Sequence, residues 1–593
     1  MKQEKDVNAM VEDDQAVFVP ASAYDEAGEQ GLFSRFEQGT RTLPVGFQVQ
    51  PRFKPLPVEI VLEKDVAVVL RDGATIYVDV LRPAGTEKVP VIVAWSPYGK
   101  SRGNAPMYVQ LFELLGMDTG AVSGLMKFEG PDPAFWCAHG YAVCNPDTPG
   151  SFNSEGDIRV WSRREGQECH DLIEWLGVQE WCNGKVGTSG NSYLAISQWF
   201  AAAEQPPHLA AIAPWEGMSD IYRDLVMRGG IPDYPFPRRL VSNFVGKSQR
   251  EDLVAEGERH PLMDALWESK IPKFENITVP AYIVASYSNM IHTPGTFRGW
   301  RRIASAEKWL RIHNTMEWPD YYEEANVNDL LRFFDHFLKG IDNGWEETPR
   351  VRYSVLDLEG NDRINQPAGE FPPEDVDEVK YYLDAASQAL TTEAPAAGVT
   401  ASYDAESQEG RASFTVHVDS PTEFVGYPKV HLWVEADGSD DMDLFVFLQK
   451  LDADGQQLEQ FNVPNHGPQM QALTRQGAAI LKYKGSNGRL RVSLRHLDEA
   501  SSTDTVPVHS FDRVEKLAPG EIASVDIDLF PIGLALNPGE QLRLVISGHH
   551  LLGGVMPGVD NVPSDNHGRH VIHTGDRHAS YLQLPLKHGR RDT

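Results

Sequence analysis

Short apolar runs alternate with longer amphipathic stretches between residues 66 and 340. Runs at 66–70 and 74–83 flank an Asp-Gly pair, and apolar and polar residues alternate on both sides of it, which predicts a β-hairpin. The run at 89–95 is continuously apolar and is typical of a strand buried on both faces. Further runs of strand length lie at 141–145, 184–188, 210–214, 279–285 and 308–313. Strands separated by helical segments indicate an α/β domain with a mostly parallel sheet.

Two longer segments divide the chain. Residues 220–273 are longer than a simple crossover connection between two parallel strands and are rich in helix formers, which predicts a helical cap. The helix predicted at 328–339 carries an apolar stripe and stops at Gly340. From residue 349, short alternating runs between Gly, Asp and Pro turns predict an all-β sandwich or jelly roll. The predicted domains are an irregular arm (1–50), an α/β core in two parts (51–219 and 274–348), a cap (220–273) and a β domain (349–593).

Charge and composition limit the partners. The chain has 593 residues, of which 85 are acidic and 54 basic, so its net charge of −31 repels nucleic acid and anionic lipid. No apolar run approaches the length of a membrane span. The charged start, MKQEKDVNAMVEDDQ, is unlike a secretory signal. We therefore expect a soluble, cytoplasmic protein with no nucleic-acid or membrane partner, and a chain of this size has surface for homo-oligomerisation.

The sequence predicts neither a metal nor an organic cofactor. The four cysteines lack CxxC spacing, and we interpret them as reduced and buried. The histidines between 549 and 578 fall among β turns without an HExxH pair, and the acidic clusters at 437–443 and 452–455 lack calcium-loop spacing. No glycine-rich phosphate loop lies between a strand and a helix.

A nucleophilic serine is the strongest candidate for chemistry. In WCNGKVGTSGNSYLAISQW, residues 181–199, a short apolar strand leads through a glycine-rich turn into a helical pattern. This is the context of a nucleophile elbow, where small neighbours must flank a serine in a strained backbone conformation. Gly190 and Ala195 meet that need around Ser192. Ser189 is the competing hydroxyl, and we prefer Ser192.

The same segment is similar to the WxxGxVGxxGxSYxG signature of the CocE/NonD hydrolases. VPVIVAWSPYGK, YAVCNPDTPGSFNSEG and GRLRVSLRHLD resemble other strings of that family, in the same order, so the resemblance covers about residues 60–590. It implies an α/β-hydrolase core with a helical cap, followed by a jelly roll. It also implies that Ser192 attacks a carbonyl while the Tyr98 hydroxyl and the Tyr193 amide hold the oxyanion.

The chain departs from the family at the other catalytic positions. Ala195 replaces a glycine of the signature, and Pro149 replaces an arginine. The family's aspartate and histidine correspond to Asn289 and Glu317, and a free glutamate is a weak base for a serine hydroxyl.

Two histidines lie close to these positions in sequence. We predict that His313 is the base, oriented by Glu317 or Asp320, and retain His292 as the alternative. Glu216 and Asp220 follow a strand where the cap begins and are candidates for substrate contact, with cap-to-core hydrogen bonds as the other interpretation.

These observations predict a serine hydrolase that cleaves an ester or amide bond of a small molecule through an acyl-enzyme on Ser192. Two alternatives follow from the altered triad: a non-hydrolytic enzyme on the same fold, such as an acyltransferase, lyase or cyclase, or a non-catalytic binding protein. The identity of the substrate does not follow from the sequence.

Overall fold

The computed structural model describes residues 15–24, 35–100, 102–475 and 477–588. Within these ranges, one eleven-stranded sheet forms the centre of the α/β part. From edge to edge its strands are Arg363–Ala368, Val351–Val355, Lys308–His313, Ala281–Ser286, Leu209–Trp215, Cys182–Asn191, Val89–Val93, Ala142–Asp147, Thr75–Pro83, Ile60–Val69 and Gly39–Leu43. Neighbouring strands are parallel from Val351–Val355 through Ala142–Asp147, and the flanking pairs are antiparallel.

Helices cover both faces of this sheet, as the alternating pattern predicts. Their bounds are Pro106–Leu115, Pro133–Ala138, Arg163–Gly177, Tyr193–Ala203, Thr293–Arg302, Glu317–Tyr322 and Glu324–Lys339. The last helix begins four residues before the predicted start and ends at Gly340, whose φ of 68° closes it in the left-handed conformation. Val89–Val93 is buried along its whole length, as expected of a strand covered on both faces.

The cap is built from short elements. Within the predicted bounds 220–273 they are Tyr222–Val226, Arg228–Gly230, Pro235–Ser242, Val245–Gly246, Gln249–Glu251, Leu253–Arg259 and Ala265–Ser269, and the short helix Phe274–Asn276 follows. Part of the N-terminal arm pairs with the cap's two strands: Phe18–Pro20 lies beside Gln249–Glu251, and Ser22–Ala23 lies beside Val245–Gly246. These arm strands are short and carry little alternation, so the sequence predicts an irregular segment there. Residues 1–14 and 25–34 of the arm lie outside the described residues.

Two strands extend the central sheet beyond the predicted core limit at residue 348. Val351–Val355 pairs with Lys308–His313, and Arg363–Ala368 continues at the edge. They have the short, alternating character that we assign to the β domain, but Val351 and Val355 are buried in the same core cluster as the strand Lys308–His313.

The C-terminal part is rich in strands and almost wholly antiparallel. Its strands are Val376–Asp384, Ala389–Thr391, Val399–Asp404, Arg411–His417, Thr422–Gly426, Lys429–Asp437, Asp443–Leu451, Gln460–Phe461, Lys482–Tyr483, Ser486–Arg491, Ala523–Asp528, Ile532–Leu536, Gln541–Ser547, Arg569–Thr574 and Tyr581–Lys587. Buried side chains alternate along Lys429–Asp437, as in a sheet with one face on a core. The finer assignment to a jelly roll stays a prediction. Among the described residues, no helix has both the length and the apolar character needed to cross a bilayer.

Candidate active site

Ser192 occupies a strained turn between the strand Cys182–Asn191 and the helix Tyr193–Ala203. Its φ of 53° and ψ of −119° are unusual for a residue with a side chain, and they present a partly exposed hydroxyl at the end of the sheet. The backbone N–H of Ser192 donates to the carbonyl of Glu216 (3.1 Å), and that of Asn191 donates to the carbonyl of Glu129 (3.1 Å). Two loops therefore anchor the elbow from outside.

Small residues make this turn possible. A Cβ on Gly190 would lie 2.5 Å from the Cβ of Leu194, and the φ of Gly190, 142°, is rare for other residues. Ala195 faces Gly217, where an added Cβ would lie 2.9 Å from the Ala195 Cβ. The methyl group at Ala195 is thus accommodated by a glycine on the facing loop. Ser189, the competing hydroxyl, is buried and lies 2.8 Å from the Tyr321 hydroxyl.

The imidazole at Ser192 belongs to His292. Its Nε2 lies 3.0 Å from the Ser192 Oγ, and the residue caps the N-terminus of the helix Thr293–Arg302. The Met218 backbone N–H donates to the Nδ1 of this ring (3.3 Å), so a neutral His292 carries its proton on Nε2 and donates it toward Ser192. Burial lowers the pKa of His292 to about 3. This ring is a hydrogen-bond donor and a very weak base.

His313, which we predict to meet Ser192, faces a different partner. Its Nε2 lies 2.6 Å from the Oε1 of Glu216, and its Nδ1 lies 3.2 Å from the Thr315 hydroxyl. The structure therefore corrects the preference for His313 over His292. His313 ends its strand in register with Ser286, whereas the loop after Ser286 carries His292 back over the elbow.

Glu317, which we expect to orient His313, contacts His292 and Asn289 beside Ser192 instead. Its Oε2 is 3.7 Å from the His292 Nε2 and accepts a hydrogen bond from the Asn289 side-chain amide (3.2 Å). Burial, followed by the charges of Glu216 and Glu129, raises the pKa of Glu317 well above its usual range. The Asn289 Oδ1 also accepts a hydrogen bond from the backbone N–H of His292 (3.2 Å). This one side chain therefore positions both Glu317 and His292.

Glu129 is a member of the site that the sequence did not indicate. It is buried, and its Oε1 accepts the indole N–H of Trp318 (2.8 Å), the residue next to Glu317. Burial raises the pKa of Glu129 to about 8. The only signal in the sequence is a charged residue within the stretch LMKFEGP, which looks like any exposed turn.

The two predicted oxyanion donors lie at the elbow. The Tyr98 hydroxyl hydrogen-bonds with Ser192, and burial raises the pKa of this phenol well above its usual value, which keeps it protonated. Tyr193 is the first residue of its helix, so its backbone N–H has no carbonyl within the helix to bind. The Tyr193 ring contacts that of Tyr98 with centroids 5.7 Å apart. A hydroxyl and an amide are therefore available beside the nucleophile.

Glu216 and Asp220, our candidates for substrate contact, are engaged with protein groups. Glu216 accepts the Ser286 hydroxyl (3.1 Å) and lies beside His313. Asp220 binds the Arg223 guanidinium (2.7 Å), and although burial raises its pKa, Arg223 and Arg298 leave it lowered overall. Both carboxylates are buried, which favours the cap-to-core interpretation.

Comparisons with known proteins match both parts of the chain to known families. Residues 72–238 match the model of the X-Pro dipeptidyl-peptidase (S15) family, and residues 343–583 match the X-Pro dipeptidyl-peptidase C-terminal non-catalytic domain. A crystal structure of a CocE/NonD family hydrolase from Staphylococcus aureus is 33% identical, covers 95% of this chain and 99% of its own, and superposes with a TM-score of 0.85.

The chain belongs to the CocE/NonD hydrolase family. Cocaine esterase from Rhodococcus sp. is 34% identical over 159 residues, which span 27% of this chain and 24% of that enzyme. An α-amino acid ester hydrolase shares the fold, with a TM-score of 0.64 at 15% identity.

Membership of the CocE/NonD family confirms several predictions. An α/β-hydrolase core followed by a strand-rich C-terminal domain is the architecture of the matched structure. A serine hydrolase acting on ester or amide bonds is the reaction class of the matched families.

Proposed function

We propose that this CocE/NonD protein hydrolyses an ester or amide bond of a small molecule through an acyl-enzyme on Ser192. The observation that carries the proposal is the strained, partly exposed Ser192 with the His292 ring 3.0 Å from its Oγ. The hydroxyl would attack the substrate carbonyl, expel the alcohol or amine, and then be released from the acyl group by water.

We assign the proton acceptor to Glu317 and not to an imidazole. The Met218 amide holds the His292 proton on Nε2, so this ring donates to the Ser192 oxygen and has no free lone pair facing it. Glu317 lies beside this hydrogen bond, with its Oε2 3.7 Å from the His292 Nε2, and in its ionised form its carboxylate can accept a proton. In this scheme Glu317 takes the serine proton and passes it to the leaving alcohol or amine, His292 stabilises the serine alkoxide, and Asn289 positions Glu317 and His292.

The developing oxyanion would be held by the Tyr98 hydroxyl and the Tyr193 amide. The positive end of the helix Tyr193–Ala203 favours negative charge at the same place. We also propose a cytoplasmic location, because Cys137, Cys144, Cys169 and Cys182 are free thiols, as in a reducing compartment.

A serine-directed fluorophosphonate probe tests the nucleophile. We expect it to label the wild-type protein and Ser189→Ala, and to leave Ser192→Ala unlabelled. Turnover of p-nitrophenyl acetate and butyrate should be lost in Ser192→Ala as well. Labelling that persists in Ser192→Ala would overturn the proposal.

The proton acceptor is tested with isosteric variants. Glu317→Gln retains the shape and a carbonyl that can accept the Asn289 amide, and we expect it to lower kcat by about 10²–10⁴-fold. His292→Gln should lose less, since a side-chain amide can still donate to the Ser192 oxygen. If Glu317→Gln keeps wild-type kcat while His292→Gln is inactive, the imidazole is the base and our assignment is wrong.

A further inference from the structure

A cavity of about 110 Å³ lies where the cap, the helix Thr293–Arg302 and the β domain meet. Five arginines line it: Arg223 and Arg228 from the cap, Arg298 and Arg301 from the helix, and Arg489 from the strand Ser486–Arg491. The cap approaches that strand closely, because a Cβ on Gly229 would lie 2.1 Å from the Arg489 carbonyl oxygen. In a chain with a net charge of −31, this concentration of positive charge is unusual.

Carboxylates neutralise these arginines incompletely. Three close pairs join Arg223 to Asp220 (2.7 Å), Arg298 to Asp224 (2.6 Å) and Arg489 to Asp233 (2.9 Å). Arg301 lies over the ring of Tyr427 at 4.8 Å. Asp528, the remaining carboxylate of the lining, lies near Arg298, and burial raises its pKa. Arg228 is 3.7 Å from Asp233, a carboxylate that already binds Arg489.

Two arginine donors in the lining, the Nη1 of Arg489 and the Nε of Arg223, have no hydrogen-bond partner among the described residues. The Arg489 side chain is more than nine-tenths buried, and the buried His509 ring also has an Nε2 without a partner. Burial and the neighbouring charge of Arg489 also lower the pKa of Arg228 to about 9. A buried cationic donor without an acceptor is costly, and an anion in the cavity would remove that cost.

We propose that this cavity binds a small oxyanion, either inorganic phosphate or the carboxylate of a short organic acid. Arginine forks suit both groups, because each can accept paired N–H···O bonds. The volume equals that of roughly three or four waters at about 30 Å³ each, which suits a group of a few heavy atoms. The bound anion would join Arg228 of the cap to Arg489 of the β domain.

Thermal unfolding of the full-length protein tests the site. Sodium phosphate and sodium succinate are titrated separately, at constant ionic strength against sodium chloride. We expect at least one of them to raise Tm with the logarithm of its concentration, since it binds the folded state. Phosphate alone would identify a tetrahedral ligand, and succinate alone a carboxylate.

Arg228→Gln is the informative variant, because its single long ion pair leaves no close partner stranded. We expect it to weaken anion binding by at least about tenfold. Arg411→Gln removes the same charge from the exposed pair with Glu409 and should bind as the wild type does.

Two results would overturn the oxyanion site. One is a Tm response to phosphate and succinate no larger than that to chloride. The other is unchanged affinity in both Arg228→Gln and Arg489→Gln. Should Arg228→Gln melt early, calorimetry on the unmodified protein decides, and no heat of binding up to about 10 mM of either anion counts against the site.

Discussion

At the scale of single residues, three residues at the nucleophile share a strained backbone conformation. Ser192, Glu129 and Glu216 all have positive φ, at 53°, 66° and 58°. The carbonyls of the two glutamates accept the N–H groups of Asn191 and Ser192, so the three strained residues form one hydrogen-bonded unit. Such conformations persist only where the surroundings enforce them, and here they place the hydroxyl and two buried carboxyl groups at one site.

The acidic side of the profile of kcat/KM against pH should shift to lower pH when Glu129 is replaced by glutamine. Glu129 raises the pKa of Glu317, and Glu317 must be ionised to accept a proton. Glu129→Gln removes that charge, so the limb of kcat/KM against pH should shift to lower pH, while the glutamine carbonyl can still accept Trp318. Glu113→Gln, on an exposed position, is the control. An unshifted limb in Glu129→Gln would argue against Glu317 as the titrating acceptor.

The two histidines should differ in their effect on turnover. His292 contacts Ser192, whereas His313 contacts Glu216 behind the elbow. We expect His292→Ala to lower kcat by more than about 10²-fold, and His313→Gln to lower it by less. The kcat values of the two variants with one p-nitrophenyl ester measure this difference. A larger loss of kcat in His313→Gln than in His292→Ala would favour His313 as the base, as the sequence predicts.

At the scale of elements, the elbow depends on how closely the helix Tyr193–Ala203 approaches the loop at Gly217. An added Cβ at Gly217 would meet the Cβ of Ala195 at 2.9 Å and its carbonyl carbon at 3.0 Å. The family signature has a glycine where this chain has Ala195, and Gly217 supplies the missing space from the other side. The helix Tyr193–Ala203 and the loop at Gly217 therefore fit together only while one of the two facing positions has no side chain. An added methyl group at this contact should strain both the helix and the loop.

Gly217→Ala should destabilise the protein by about 1–3 kcal/mol. Because the added methyl group meets the Ala195 methyl, the effect should be smaller when Ala195→Gly is already present. A double-mutant cycle measures this coupling, with urea unfolding of the wild type, the two single variants and the double variant. Additivity to within about 0.5 kcal/mol would mean that the two methyl groups do not meet.

At the scale of the whole molecule, buried carboxyls connect stability to pH. Burial raises the pKa of Glu129, Glu165 and Glu168 to about 8 each. A carboxyl whose folded pKa is raised contributes stability that is complete below its unfolded pKa of about 4.5 and is lost as pH rises through its folded pKa. These three groups therefore lower stability between pH 5 and 8, in a chain that already carries a large negative charge.

Glu168→Gln should flatten this dependence. Glu168 is buried in the helix Arg163–Gly177, with Arg164 3.5 Å away. Between pH 5 and 8, removing the Glu168 carboxyl should make the free energy of unfolding fall less steeply with pH. The slope should decrease by up to about 1.4 kcal/mol per pH unit, which is the largest slope that one titrating group gives. Urea midpoints at pH 5, 6, 7 and 8 measure the slope, with exposed Glu180→Gln as the control. Equal slopes in both variants would contradict a raised pKa at Glu168.

Much of the architecture follows from local pattern. The apolar runs of the central strands, the stop at Gly340 and the small residues around Ser192 are written in neighbouring positions, where periodicity and side-chain size act directly. The short arm strands escaped prediction, and the two strands beyond residue 348 were assigned to the β domain instead of the central sheet, because the choice of a pairing partner relies on backbone hydrogen bonds that leave little trace in side-chain type.

The sequence by itself predicted the reaction class, through an elbow written in a few adjacent residues and the resemblance of that segment to the CocE/NonD signature. Only the tertiary structure decided that His292 and not His313 lies at Ser192, that Glu129 and Glu216 join Glu317, and that five arginines face one cavity. These groups come from loops far apart in the chain. Their distances, burial and charges depend on how loops return over the sheet, and no local pattern records that path.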